Sequence, residues 1–148
     1  MSQKISRFPT TNYCDYECLS SDTHSFLWSI FDPSKLSRPV HAELANIDSL
    51  VYVSSVTFWE ISLKAGIGKL TLAGCLSDEL PEIANRLGYL SLPLEPGEAA
   101  SFYRLPKYTH KDPFDRMLIW QAIQRRFVLI SKDRAFDEYR LMGLQAFW

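Results

Sequence analysis

An α/β sandwich with a mostly parallel sheet is the fold class this sequence predicts, and three observations predict it. Short β-branched or aromatic runs alternate along the chain with longer stretches of helical apolar period. Phe127-Val128-Leu129-Ile130 is apolar at every position, as a strand covered on both faces requires. Met117 to Ile123 is apolar at every position except Gln121, which marks a helix buried on most sides.

Taken in order, residues 1–15 are polar, contain Pro9 and show no period, so they are expected to form an extension ordered only in part. Residues 16–148 are then the domain. Tyr16 to Ser21 is expected to be the first strand, although Ser20 and Ser21 stand where a central parallel strand favours Val or Ile. Asp22-Thr23 opens a helix with the stripe Phe26, Leu27, Ile30 and Phe31, and Asp32-Pro33-Ser34 forms a turn. Ser37 caps a second helix, with Pro39 in its first turn and Val40, Leu44 and Ile47 as its buried side. Val51 to Val53 is a strand. Ser54 or Ser55 caps a third helix that Gly66 is expected to end. Leu76, Leu80, Ile83, Ala84 and Leu87 make a fourth stripe, closed by Gly88. Tyr89 to Leu94 is a strand containing Pro93, hence in a late or edge position. A short helix over 96–103, the buried helix and strand described above, a last helix over 134–139 and a terminal strand over 144–148 complete the prediction.

The 148 residues make one domain able to bury a real core; 47% hydrophobic residues, with 4 Trp, 7 Tyr and 9 Phe, exclude a disordered chain. A net charge of -1 excludes a global positive field, so contact with nucleic acid must run through local patches or bound cations. The 3 cysteines, at positions 14, 18 and 75, make no disulfide framework, and together with the lack of a secretory segment they lead to the expectation of a reducing cytoplasm. No apolar run approaches the ~20 residues that span a bilayer.

Acids in unusual places carry the chemistry. Glu60 falls on a helical stripe with Val56, Leu63 and Ile67, and Asp115 on a face with Leu118, Ile119 and Ala122. Asp22 and Asp133 stand at predicted strand ends, where ligands of open α/β sheets gather. Each acid has an ordinary explanation: Asp22 and Asp115 as caps, Glu60 paired with Lys64, Asp133 paired with Arg134 or Arg116. Four ionised carboxylates converging together would instead repel one another and raise each other's pKa, a conflict that a hard divalent cation removes. Gly66-Ile67-Gly68-Lys69 lacks the GxxxxGK[ST] spacing of a phosphate loop. Cys14, Cys18 and His24 lack a fourth zinc ligand. His110 stands near Asp112 and is a candidate to touch substrate, although an exposed loop histidine is the expected case. Arg116, Lys132 and Arg134 neighbour the acids and are candidates to meet phosphates.

Asp22-Thr23-His24, Trp59-Glu60-Ile61, Asp112-Pro113-Phe114-Asp115-Arg116 and Ser131-Lys132-Asp133, in that order, resemble the PIN-domain family, and within it the VapC-type toxins of bacterial toxin–antitoxin pairs. The resemblance covers the chain from about Cys18 to Trp148. It implies a three-layer α/β/α sandwich that cuts RNA with Mg²⁺ or Mn²⁺, leaving 5′-phosphate and 3′-hydroxyl ends. It also implies a metal-binding catalytic quartet of Asp22, Glu60, Asp115 and Asp133, with Asp112, Thr23 and Ser131 supporting it. A homodimer and a small cognate antitoxin, seated in a groove near the acids, are the partners it implies. The serine-containing first strand departs from the family's apolar one, and this leaves open a PIN-like module that binds antitoxin or RNA without cleaving. A phosphoaspartyl hydrolase is the other enzymatic alternative, but it lacks its Asp-x-Asp here.

Overall fold

The computed structural model describes residues 18–148; the expected extension, the start of the predicted first strand and Cys14 lie outside the described residues. Five strands, β1 (Cys18–Ser21), β2 (Leu50–Ser54), β3 (Leu90–Leu92), β4 (Val128–Ile130) and β5 (Gln145–Phe147), form one sheet in the order β3-β2-β1-β4-β5. Every pairing is parallel. Short as they are, these strands are held by helices on both faces. The α-helices are α1 (Thr23–Phe31), α2 (Arg38–Ala45), α3 (Ser55–Gly66), α4 (Leu80–Arg86), α5 (Pro96–Ser101) and α6 (Pro113–Arg125).

The alternation of side chains along β4 separates two cores. Val128 and Ile130 join Leu19, Val51 and Val53 in a cluster completed by Phe26, Val40, Ile61 and Leu80 from α1 to α4. Leu129 points the other way, into a cluster with Ile119, Trp120 and Ala122 of α6 and with Phe136, Tyr139 and Leu144. Gln121, the single polar residue of the apolar run in α6, is buried. It accepts from Ser54 Oγ at 2.5 Å and donates to the Pro93 carbonyl at 3.3 Å, so its amide costs little to bury.

Caps follow the sequence closely. Asp22, Ser37, Ser54 and Asp112 each accept a backbone N–H in the first turn of α1, α2, α3 and α6, and Pro113 occupies the first position of α6, where its missing N–H is not needed. Several expectations are corrected. Ile47 is exposed, because α2 stops at Ala45 before reaching it. Gly66 is the last residue of α3, as expected, but the left-handed residue that turns the chain is Gly68, at φ 74°, and the N–H groups of Lys69 and Leu70 close back on the Lys64 carbonyl. Leu76 and Leu87 are exposed, since the segment begins as a 3₁₀ turn (Ser77–Glu79) and α4 spans only two turns. The expected turn at Asp32 is a 3₁₀ turn over Pro33–Lys35, and the last helix is a 3₁₀ segment running on to Met142. β3 lies at the sheet edge, and Pro93 falls just past its last residue, Leu92.

Candidate functional site

The chain steps from β1 outward through β2 and β3, then returns to place β4 and β5 on the other side of β1. The carboxyl ends of β1 and β4 therefore form the topological switch point, where the loops diverge and leave a crevice. Asp22 follows β1 directly, and its backbone N–H donates to the Ile130 carbonyl at 3.0 Å, holding the two strand ends together. Ser131 and Asp133 follow β4.

Asp22 is buried, and its Oδ1 accepts the Ser25 N–H at 2.8 Å. Burial pushes its carboxyl above the usual range; hydrogen bonds from Ser131 and Ser25, and nearby His24, act in the opposite sense. Thr23, also buried, donates from Oγ1 to Glu60 Oε1 at 2.7 Å. Glu60 reaches the site from α3 with its side chain 3% exposed, and Lys64 Nζ lies 2.5 Å from Oε2. Asp115 sits in the first turn of α6, aimed there by Asp112, whose Oδ1 accepts the N–H groups of Phe114 and Asp115 at 2.8 and 3.2 Å. Its side chain is 14% exposed, and its pKa is raised to about 6 by burial first, then by the charges of Asp112 and Glu60 and, more weakly, of Asp22. Asp133 is the most open of the group at 46% side-chain exposure. Its Oδ1 caps Ala135 N–H at 2.9 Å, and Ser131 Oγ accepts its own N–H at 3.1 Å.

Asp115 thus lies within electrostatic reach of Asp112, Glu60 and Asp22, and Asp133 joins it through His110. His110 Nε2 is 2.9 Å from Asp115 Oδ2 and 3.3 Å from Asp133 Oδ2. The sequence favours an exposed loop histidine here over one that touches substrate, and only its place two residues before Asp112 distinguishes it; its side chain is 16% exposed. A cleft of about 310 Å³ opens beside the acids, lined by Thr23, His24, Glu60, Lys64, Lys69 and Leu70 among others.

Not every predicted contact is made. Arg116 turns away from the acids: its Nη2 donates to the Leu105 carbonyl at 2.9 Å and its guanidinium lies over the Phe102 ring, so it fastens a loop. The predicted pairing of Asp133 with Arg116 is absent for the same reason. Lys132 and Arg134 are exposed beside Asp133, with Lys132 Nζ 5.9 Å from the Trp28 ring. Asp115 is not a cap, as Asp112 takes that place. The stripe assigned to Glu60 is also wrong in part, since Leu63 and Ile67 are exposed and Glu60 is buried beside Val56, Thr57 and Ile61 instead. Phe26, of the predicted α1 stripe, is wholly in the core.

The donor set suits a hard divalent cation. It consists mainly of carboxylate oxygens, burial and then the neighbouring charges raise the pKa of Asp115, and one cluster of His110, Asp115 and Asp133 offers three ligand atoms within 4.8 Å of one another.

The family model described as PIN domain matches residues 21–141. Ribonuclease VapC22 of Mycobacterium tuberculosis is 26% identical over 119 residues, which is 80% of this chain and 89% of that protein. Among solved structures, DNA-bound VapBC from Salmonella typhimurium aligns with a TM-score of 0.63 at 20% identity, covering 88% of this chain and 97% of the matched one. VapBC2 from Rickettsia felis, bound to a DNA fragment from its promoter, aligns with a TM-score of 0.63 at 13% identity over the same shares. At these identities the structural likenesses speak to the fold.

Proposed function

The chain belongs to the PIN-domain family, and from that premise we propose that it is a metal-dependent endoribonuclease toxin of a toxin–antitoxin pair, hydrolysing RNA phosphodiester bonds at Asp22, Glu60, Asp115 and Asp133. The observation that carries this reading is the gathering of acids at the switch point, Asp22 and Glu60 buried and the Asp115 carboxyl pushed up to about 6. Similarity to a protein named a ribonuclease supports the reaction class.

Asp22 and Asp115 would hold the primary ion, and Glu60 and Asp133 would complete the site or hold a second one. Mg²⁺ or Mn²⁺ bound there would supply Lewis-acid polarisation of the phosphate and an activated water. Around it the chain's own groups act by fixing geometry. Thr23 and Lys64 hold the two oxygens of Glu60, Ser131 supports Asp22, and Asp112 orients the first turn that carries Asp115. Lys132 and Arg134, exposed at the rim, would meet the flanking RNA phosphates.

A cognate antitoxin protein is the proposed partner, supported by the VapBC complexes that share the fold. A homodimer is proposed as well: Trp59, Leu63 and Ile67 leave an exposed apolar row along α3 that a second copy would cover. Among the described residues no helix is long and apolar enough to cross a membrane, and action in the cytoplasm follows from the proposed RNA substrate. The silent-module alternative drew on the serine-containing first strand. That strand pairs in register on both sides, Leu19 with Val51 and Val128, which supports the active reading.

The test is cleavage of single-stranded RNA by the purified chain freed of any partner. Cleavage in Mg²⁺, none in EDTA and none with Asp22→Asn or Asp115→Asn is expected. Cleavage that persists in the variants refutes the assignment.

A further inference from the structure

We infer that His110 is a nitrogen ligand of the metal site, binding through Nε2 beside Asp115 and Asp133, so that the ion sits in a mixed oxygen and nitrogen set and Mn²⁺ is favoured over Mg²⁺. This rests on the proposed metal-dependent reading of the same site. Nε2 is 2.9 Å from one carboxylate oxygen and 3.3 Å from the other. Two ligands at right angles on an ion with bonds of ~2.1 Å stand about 3 Å apart, so the spacing is that of neighbouring positions around one centre. Nε2 is buried and has no aligned hydrogen bond despite two oxygens at contact distance. An imidazole held there only to bridge acids would point an N–H along one of those lines.

The ring is also held in place. The His110 side chain is 16% exposed and packs on Phe136, with ring centroids 5.3 Å apart and planes tilted by 31°. Thr109, the residue before it, donates from N–H and Oγ1 to Glu138 at 3.0 and 2.7 Å, and Asp112, two residues later, is locked as the α6 cap. The loop is therefore fastened on both sides of the histidine. Such preorganisation suits a ligand, because ordering the side chain at the moment of binding would weaken the site. Imidazole is a softer donor than carboxylate and adds more to the affinity for transition ions than for Mg²⁺.

Pulsed electron paramagnetic resonance of Mn²⁺ bound to the full chain reads the bond directly. The chain has 3 histidines, so the nitrogen can be assigned by substitution. The expected result is an imidazole ¹⁴N coupling in the native protein and in His24→Gln, absent in His110→Gln. Mn²⁺ affinity should fall by roughly tenfold or more in His110→Gln, with a smaller loss for Mg²⁺. The native spectrum stands without any variant, so a misfolded His110→Gln would not mask the outcome. Bound Mn²⁺ without nitrogen coupling, or coupling lost only in His24→Gln, overturns the ligand role and leaves the nuclease reading intact. Failure to bind Mn²⁺ at all overturns both.

Discussion

Replacing Asp115 by Asn is expected to stabilise the metal-free protein while removing its response to metal. The Asp115 carboxyl is raised from 3.8 to about 6 by burial and by Asp112 and Glu60. A carboxyl whose folded pKa is raised favours folding when protonated. Its contribution is fully present below the unfolded value and is lost as pH rises through about 6. At neutral pH the ionised group therefore works against the fold. At ~1.4 kcal/mol per pH unit the full cost is about 3 kcal/mol, and partial contact with water reduces it to ~1–2 kcal/mol. Asn keeps the shape and removes the charge, so the variant should recover that amount. With an unfolding entropy of ~2.1 cal/mol/K per residue, a chain of this size gains roughly 3–6 °C in Tm. The assay is thermal and urea unfolding of both proteins in EDTA from pH 4 to 8, then with Mg²⁺. The stability difference should open as pH rises above about 4 and be fully developed just above about 6. Mg²⁺ should raise the native Tm, by ~2.7 kcal/mol of stability at a hundredfold excess over Kd, and leave the variant unmoved. A variant less stable than the native chain in EDTA at pH 7.5 would refute the electrostatic reasoning.

Other expectations come from the surrounding contacts. Lys64→Met leaves the buried Glu60 without its cation and should lower metal-free stability by ~1–3 kcal/mol in urea denaturation, with part of the loss restored by Mg²⁺; an unchanged midpoint would contradict this. Arg116→Gln should lower stability by ~1–3 kcal/mol through the lost bond to the Leu105 carbonyl, and the salt dependence of RNA binding should not change. Lys132→Ala should instead reduce that salt slope by about 0.7 with little effect on Tm. Ser20→Ala removes a buried hydroxyl without a partner on the central strand and should raise stability by about 1 kcal/mol, read as a higher urea midpoint.

Local chemistry made much of the fold legible. A cap is decided by a side chain and the three residues after it, which is why Asp22, Ser37 and Ser54 are recognisable in the sequence and cap their helices in the structure. β4 is readable from its unbroken apolar run, whereas β1, with Ser20 and Ser21, departs from the pattern of a central strand and takes that place through its pairing with β2 and β4. Glu60 shows where such reasoning ends. Its burial was inferred from a stripe with Leu63 and Ile67, yet both are exposed, and what holds it inside is Thr23 from α1 and Lys64 one turn on. Contacts of that kind depend on how α1 and α3 are packed, which no short window encodes. Arg116 and His110 teach the same lesson in opposite directions. One neighbours the acids in sequence and turns to a backbone carbonyl, while the other looked like a loop residue and stands between two carboxylates. Ordinary roles and special ones also coexist: Asp22 and Asp133 are caps as well as members of the acidic group.

The most direct measurement is the position of Mn²⁺ in crystals of the protein, found from its anomalous scattering. A peak at the carboxyl ends of β1 and β4, within bonding distance of Asp22 and Asp115 oxygens, is the predicted result. An ion lodged elsewhere, or no ion at millimolar Mn²⁺ with the acids neutralised by the protein's own cations, would contradict it.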